Sequence, residues 1–283
     1  MADDNNYVVE MIFQDPTPNG HINQRISNAF GLNLDKVDLN QDEQEQLMHL
    51  LLLVAKKLAI TWRHLDRYRQ IEDDLIARAK ATQLVVDGKH TGFDYSDELY
   101  AEFDGFLVQL KSSLDHLVKV PVPIFGPKSW KPHTFGDKGN DVIKMLENNT
   151  PKKFEKHIRV ICDRVIRRNQ DWLQLTIDLR DKVNHYLEGG VPYQFFRVRK
   201  VRRGNREVIV VPMWSKVQTL RQALEIVWCR LMCLCEEFIG FTVFLRLKPY
   251  WEVKYRHIED ESDTNRWGFT LNREALNESL GKQ

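Results

Sequence analysis

Apolar residues recur at three- and four-residue steps over most of this chain, the spacing that lines one face of an α-helix. The first such run spans residues 41 to about 86. Leu47, Leu51, Val54, Leu58, Trp62, Leu65 and Tyr68 share a stripe, and Asp42 and Glu43 lie in the first turn, where the helix dipole favours acids. Gly88 ends the pattern. The spacing predicts a helix of about 45 residues, roughly 65 Å long. A second helix starts after Ser96, a natural N-cap, and carries Phe103, Leu107, Leu110, Leu114 and Leu117 until Pro121 and Pro123 stop it. Residues 121–150 read as a loop with a short helix near 141–147. A third helix opens at Thr150-Pro151, as N-cap and first helical position, and runs through Ile161, Val165, Trp172, Leu175, Leu179 and Val183 to Leu187. Gly189 and Gly190 close it.

The period then changes. Residues 193–202 and 206–211 read as two strands joined by Gly204-Asn205, a β-hairpin within 193–211. A fourth helix, 216–247, is so densely apolar that most of its surface must be buried. Residues 1–40 read as an N-terminal arm or edge strand, with the apolar run Tyr7 to Phe13 followed by Pro16, Pro18, Asn19 and Gly20. The tail, 248–283, holds the charged run Glu259-Asp260-Glu261-Ser262-Asp263 and reads as loosely packed. The expectation is a mainly α protein: an antiparallel four-helix bundle over 41–247, with a hairpin between helices three and four.

Composition narrows the function. The 283 residues are 42% hydrophobic and 29% charged, enough for a sizeable core. Net charge is only +1, so any surface for phosphates is a local patch rather than a general coat. Cys229, Cys233 and Cys235 sit within seven residues of an apolar helix and Cys162 stands apart. That spacing makes no disulfide framework and suits a reducing compartment, with the cysteines as buried small hydrophobes. The start of the chain lacks the basic and apolar regions of a signal peptide, and no apolar run approaches a membrane span. A cytoplasmic protein is expected. HExxH, P-loop and dinucleotide glycine patterns are absent, so neither metal nor cofactor is expected.

The stretch with the most chemistry ends helix three: Arg180-Asp181-Lys182-Val183-Asn184-His185. A guanidinium grips phosphate with a planar fork of donors, and an imidazole moves protons near neutral pH. With Leu179 at zero on a 100° lattice, Val183 falls at ~40° on the core stripe. Arg180 falls at ~100°, Asn184 at ~140°, Asp181 at ~200° and His185 at ~240°. All four polar residues avoid the core, yet Arg180 and His185 do not share one narrow face. Either the last turn bends, or two copies of the helix meet in one site. The bland alternative is a solvated face with an Asp–His contact.

Four helices with Arg-Asp-x-x-x-His closing the third resemble the HEPN (higher eukaryotes and prokaryotes nucleotide-binding) superfamily, whose motif is Arg, four to six residues, then His. Helix two, Glu98 to Leu117, is also similar to its counterpart in bacterial members. The resemblance spans roughly residues 41–247. It implies a metal-independent endoribonuclease of the toxin or defence-effector kind, working as a homodimer with a composite site, and an antitoxin or defence-system protein as partner. By that carry-over Arg180 and His185 are catalytic and Asp181 and Asn184 support them. The implied reaction is attack of a 2′-OH on the adjacent phosphate, leaving a 2′,3′-cyclic phosphate. The rival expectation is a non-catalytic HEPN-like scaffold or sensor that binds RNA or nucleotide and acts through a partner.

Next to the motif the chain is strongly basic. Arg197, Arg199, Lys200, Arg202, Arg203 and Arg206 could track an RNA backbone, with Tyr193, Phe195 and Phe196 stacking on bases. Equally, such charges protect a hairpin edge from aggregation. Ser113, Asp115 and His116 on helix two either contact the site or, as such residues more often do, stay at the surface or satisfied in the core, and His49 and His64 read as structural or exposed.

Overall fold

The computed structural model describes residues 15–27, 30–82, 96–136, 139–184, 195–203, 206–248, 251–257 and 267–273. The architecture is mainly helical, with two small antiparallel hairpins. Helix α1 (Gln41–Ala81) starts at a full capping box: Asn40 Oδ1 accepts from the Glu43 amide at 2.9 Å, and the Glu43 carboxylate accepts from the Asn40 amide at 3.0 Å. Every position of its expected stripe is buried except Trp62, which is half-buried against Trp228 at 5.4 Å between ring centroids.

Helix α2 (Asp97–Leu117) packs along α1, and Ser96 caps it, its Oγ accepting from the Leu99 amide at 3.1 Å. A single turn, α3 (Val122–Phe125), lies within the stretch expected to be loop, and α4 (Asn140–Asn149) is the short helix expected near 141–147. Thr150 does not cap the next helix. It closes α4, and its hydroxyl is buried without a partner.

Helix three of the sequence reading is one helical path with a changing pitch. A 3₁₀ turn at Lys152–Phe154 leads into α5 (Glu155–Val160), then a π segment at Ile161–Ile166, a 3₁₀ turn at Arg167–Asn169 and α6 (Gln170–Asn184). The π and 3₁₀ turns rotate later side chains off a uniform 3.6-residue stripe. So Ile161 and Val165 are buried while Leu175, expected in the core, is 48% exposed. The end of this helix beyond Asn184, with its two glycines, lies outside the described residues.

Strands β1 (Arg199–Arg203) and β2 (Arg206–Val210) pair antiparallel, Arg203 opposite Arg206, and form the hairpin expected before the last helix. Helix α7 (Leu220–Phe244) begins later than expected, because Thr219 caps it with Gln222 in a second capping box. Its buried side chains, among them Leu224, Leu231, Leu234, Phe238 and Val243, face α1, α2 and the π segment.

Two expectations need correction. The described part of the N-terminal arm belongs to the core: Ile22, Ile26, Phe30, Val37 and Leu39 are buried in the same cluster as the long helices. Arg25 is buried too, its Nε donating to Glu236 Oε2 at 2.6 Å, and Glu236 on α7 is 2% exposed. Each desolvated charge is tolerated because the other is there. The described part of the C-terminal tail is likewise structured. Strands β3 (Trp251–His257) and β4 (Trp267–Arg273) form an antiparallel hairpin beside α7. In the register Val253 stands opposite Leu271 and Tyr255 opposite Phe269, so the two-residue apolar alternations of the two strands are paired with each other. The charged run 259–263 hid that alternation from a composition-led reading.

Among the described residues, no helix is long and apolar enough to cross a membrane. The cysteine expectation holds for Cys162 and Cys235, which are buried, and fails for Cys229 and Cys233, which are exposed. Burial pushes the Cys162 thiol up to about 11.

Candidate functional site

The end of α6 is placed by its apolar side. Leu179 joins Phe103, Phe106 and Leu107 of α2 and Trp172 of its own helix around a cavity of about 220 Å³, closed on the far side by Trp214, Leu224 and Val227. Arg180, the next residue, is thereby brought to α2 beside Asp104. It is half-buried, 31% exposed, and its Nη1 donates to Asp181 Oδ1 at 2.7 Å. Asp181 is therefore an anchor for the guanidinium. The Asp–His contact anticipated from spacing involves His185, which lies outside the described residues, one position past Asn184. Nothing in the described geometry bears on the side chain of Asn184.

Asp104 is the carboxylate at the centre of this region. Partial burial raises its pKa, and the charges of Arg180 and His64 pull it back down. His64 reaches the region from α1. Its Nδ1–H donates to Glu102 Oε2 at 2.7 Å, and both side chains stay partly exposed, 29% and 23%. Gly105 makes the approach feasible: a Cβ at that position would lie 2.4–2.8 Å from three atoms of the His64 ring. Asp104 thus feels charges from two pairs, His64 with Glu102 and Arg180 with Asp181, supplied by three helices. Reading the chain linearly assigned His64 to structure or surface. The only sequence signal was the helical step linking Glu102 to Gly105, which has no meaning until α1 is laid across it.

The basic hairpin divides. Lys200, expected from the sequence to bind RNA, is not available to it. It is 9% exposed, donates to the carbonyls of Thr82 at 2.9 Å and Lys80 at 3.4 Å, and pairs with Glu207 at 2.7 Å. It caps the C-terminus of α1, where the helix dipole favours a cation. Arg197 and Arg199 are half-buried, and Arg202 and Arg206 are exposed. The side chain of Arg203 lies outside the described set. Phe196 is fully buried, tilted against Phe103 at 5.3 Å and edge-on to Tyr100 at 5.4 Å, and Phe195 packs edge-on to Phe196 at 5.6 Å. Neither of these two rings is a free platform for bases, and Tyr193 lies outside the described residues.

The other polar residues of α2 are satisfied structurally. Ser113 Oγ donates to the Gln109 carbonyl at 2.9 Å, Asp115 pairs with Lys111, and His116 contacts the Ser112 carbonyl, its pKa lowered mainly by burial. Among the described residues no group of three or more His, Cys, Asp or Glu side chains is arranged to hold a metal ion.

No protein-family model, curated protein or solved structure matches the chain. The likeness to HEPN domains rests on helix order and on the spacing from Arg180 to His185.

Proposed function

We propose that this protein is an endoribonuclease of HEPN type that works without a metal ion, cleaving RNA by 2′-OH attack to leave a 2′,3′-cyclic phosphate. In this reading α1, α2, the α5–α6 path and α7 are the four helices of the bundle. Arg180 holds the phosphate and stabilises the charge that grows on it in the transition state. His185 transfers a proton, with Asp181 and Asn184 in support. The chain acts as a homodimer, in the cytoplasm, as a toxin or defence effector held in check by a partner protein.

The observation that carries the reading is the position of Arg180. It is half-exposed at the last described turn of α6, oriented by Asp181, and its charge, with that of His64, acts on Asp104 of α2. Arg202 and Arg206, exposed on the hairpin that follows, supply local positive charge for the RNA backbone.

Purified protein incubated with total RNA in EDTA should yield 2′,3′-cyclic phosphate ends. Arg180→Ala and His185→Ala should each lower the rate at least ~100-fold, the usual scale for losing a charge-stabilising or proton-transfer group. Undiminished cleavage by both folded variants would refute the assignment. The contact of Arg180 with Asp181 favours a second reading, a non-catalytic sensor that binds RNA or nucleotide and signals through a partner. Measurable RNA binding with no cleaved ends would select it.

A further inference from the structure

The pair formed by His64 and Glu102 has no part in a site built from the Arg180-to-His185 run, yet its geometry is that of a working base. A carboxylate only accepts, so the hydrogen bond to Glu102 puts the ring proton on Nδ1. Nε2 then keeps its lone pair. The ring is partly open to solvent and is not locked in the core. Its seat is carved for it: Gly105 lies one helical step beyond Glu102, and any side chain there would strike the imidazole. The half-buried Asp104, next to Gly105 in sequence, feels both the His64 ring and the Arg180 guanidinium. A base from α1 and a phosphate-binding cation from α6 therefore approach one carboxylate of α2 within a single chain.

We propose that His64 is the general base of the Arg180 site, taking the 2′-OH proton of an RNA phosphodiester on Nε2, with Glu102 as its positioning residue. The proposal rests on the ribonuclease reading and changes its geometry. The angular spread along α6 left two ways to complete the site, a bend in the last turn or a second copy of that helix. A histidine from α1 supplies the base in the same chain.

The step balances without a further reagent. Nε2 accepts the 2′-OH proton as the bond from O2′ to phosphorus forms. The bond from phosphorus to O5′ breaks, and the leaving oxygen takes a proton from water. The hydroxide so formed is neutralised by the proton on the imidazolium, which returns the ring to its starting state. Glu102 stabilises that imidazolium while it exists. The charged groups that act with the ring are Glu102, bonded to it, and Asp104, both from α2, and Asp104 in turn feels Arg180 of α6. Arg63 and Arg67, on its own helix, are exposed.

The test compares the full-length protein with three variants on total RNA in EDTA, across pH 5 to 9. His64→Gln should lower kcat by ~10²–10³-fold, leave KM within about threefold, and abolish the acidic arm of the pH profile. Glu102→Gln, which keeps the shape and removes the carboxylate that fixes the ring proton on Nδ1, should lower kcat by ~10-fold or more and leave KM within about threefold. Gly105→Ala, which displaces the ring without altering it, should reproduce the loss seen with His64→Gln. Thermal melts monitor folding, and if His64→Gln does not fold, the other two variants decide. Wild-type rates and pH profiles for His64→Gln and Gly105→Ala, with Arg180→Ala inactive, would overturn the role of His64 and leave the ribonuclease reading standing. A wild-type protein that cleaves no RNA would overturn both.

Discussion

Glu72 shows how one side chain makes stability depend on pH. It is 2% exposed, its Oε1 has no hydrogen-bond partner, and the neighbouring Tyr68 hydroxyl is buried without one as well. Arg221 approaches its other oxygen only to 3.7 Å. Burial therefore dominates and lifts the Glu72 carboxyl from 4.5 to about 7, with Arg221 opposing. A carboxyl with a raised pKa in the folded state stabilises most below its unfolded value, and that stability is lost as pH rises to the folded value. Glu72→Gln keeps the shape and removes the charge. Its melting temperature should exceed the wild type at pH 8, by a free energy on the order of 1–3 kcal/mol, and match it near pH 4.5. A variant that is less stable at pH 8 would mean that the Arg221 contact outweighs desolvation. Neither burial nor the missing partner of Glu72 was legible in the sequence, where the residue sits in an ordinary charged stretch of a long helix.

At the scale of elements, the basic hairpin separates charge that holds the fold from charge that faces solvent. Lys200 lies opposite Ile209 and turns toward the last carbonyls of α1, whereas Arg202, paired with Glu207 in register, is exposed. Lys200→Ala should lower stability by about 1–2 kcal/mol, since it strips a cap from a helix end, and leave the salt dependence of RNA binding unchanged. Arg202→Ala with Arg206→Ala should do the reverse. The melting temperature stays put, and the slope of log affinity against log salt falls by roughly 2 for duplex-like RNA contacts. Equal effects on both properties would show that the strip acts as one unit. The sequence showed the six basic residues as a single run. It could not sort them, because the sorting depends on where α1 ends.

The whole molecule is larger than the bundle that the helix periods outlined. Residues 15–39 are tied to the end of α7 by backbone bonds from Asp38 to Arg246 and from Lys248 to Lys36, and by the Arg25–Glu236 pair. Removing residues 1–40 would take away six core side chains, Ile22, Ile26, Phe30, Leu34, Val37 and Leu39, worth about 2 kcal/mol each, and strand the buried Glu236 charge. That exceeds what a marginally stable domain can lose. The truncated chain should show no cooperative melt, and a cooperative transition near the full-length value would disprove the segment's place in the core.

Periodicity and caps were written locally, so the sequence alone determined the long helices, the Ser96 cap and the hairpin before α7. A helix stripe or an N-cap depends on residues three or four apart, and these interact before any tertiary contact forms. The same locality made Arg180 visible as a candidate and kept its neighbours out of sight. Tertiary structure decided that His64, Glu102 and Asp104 stand near Arg180, that Lys200 caps a helix 118 residues earlier in the chain, and that the N-terminal segment enters the core. Those contacts join positions far apart in sequence, and their energies come from burial and charge in a space that exists only once the helices have packed.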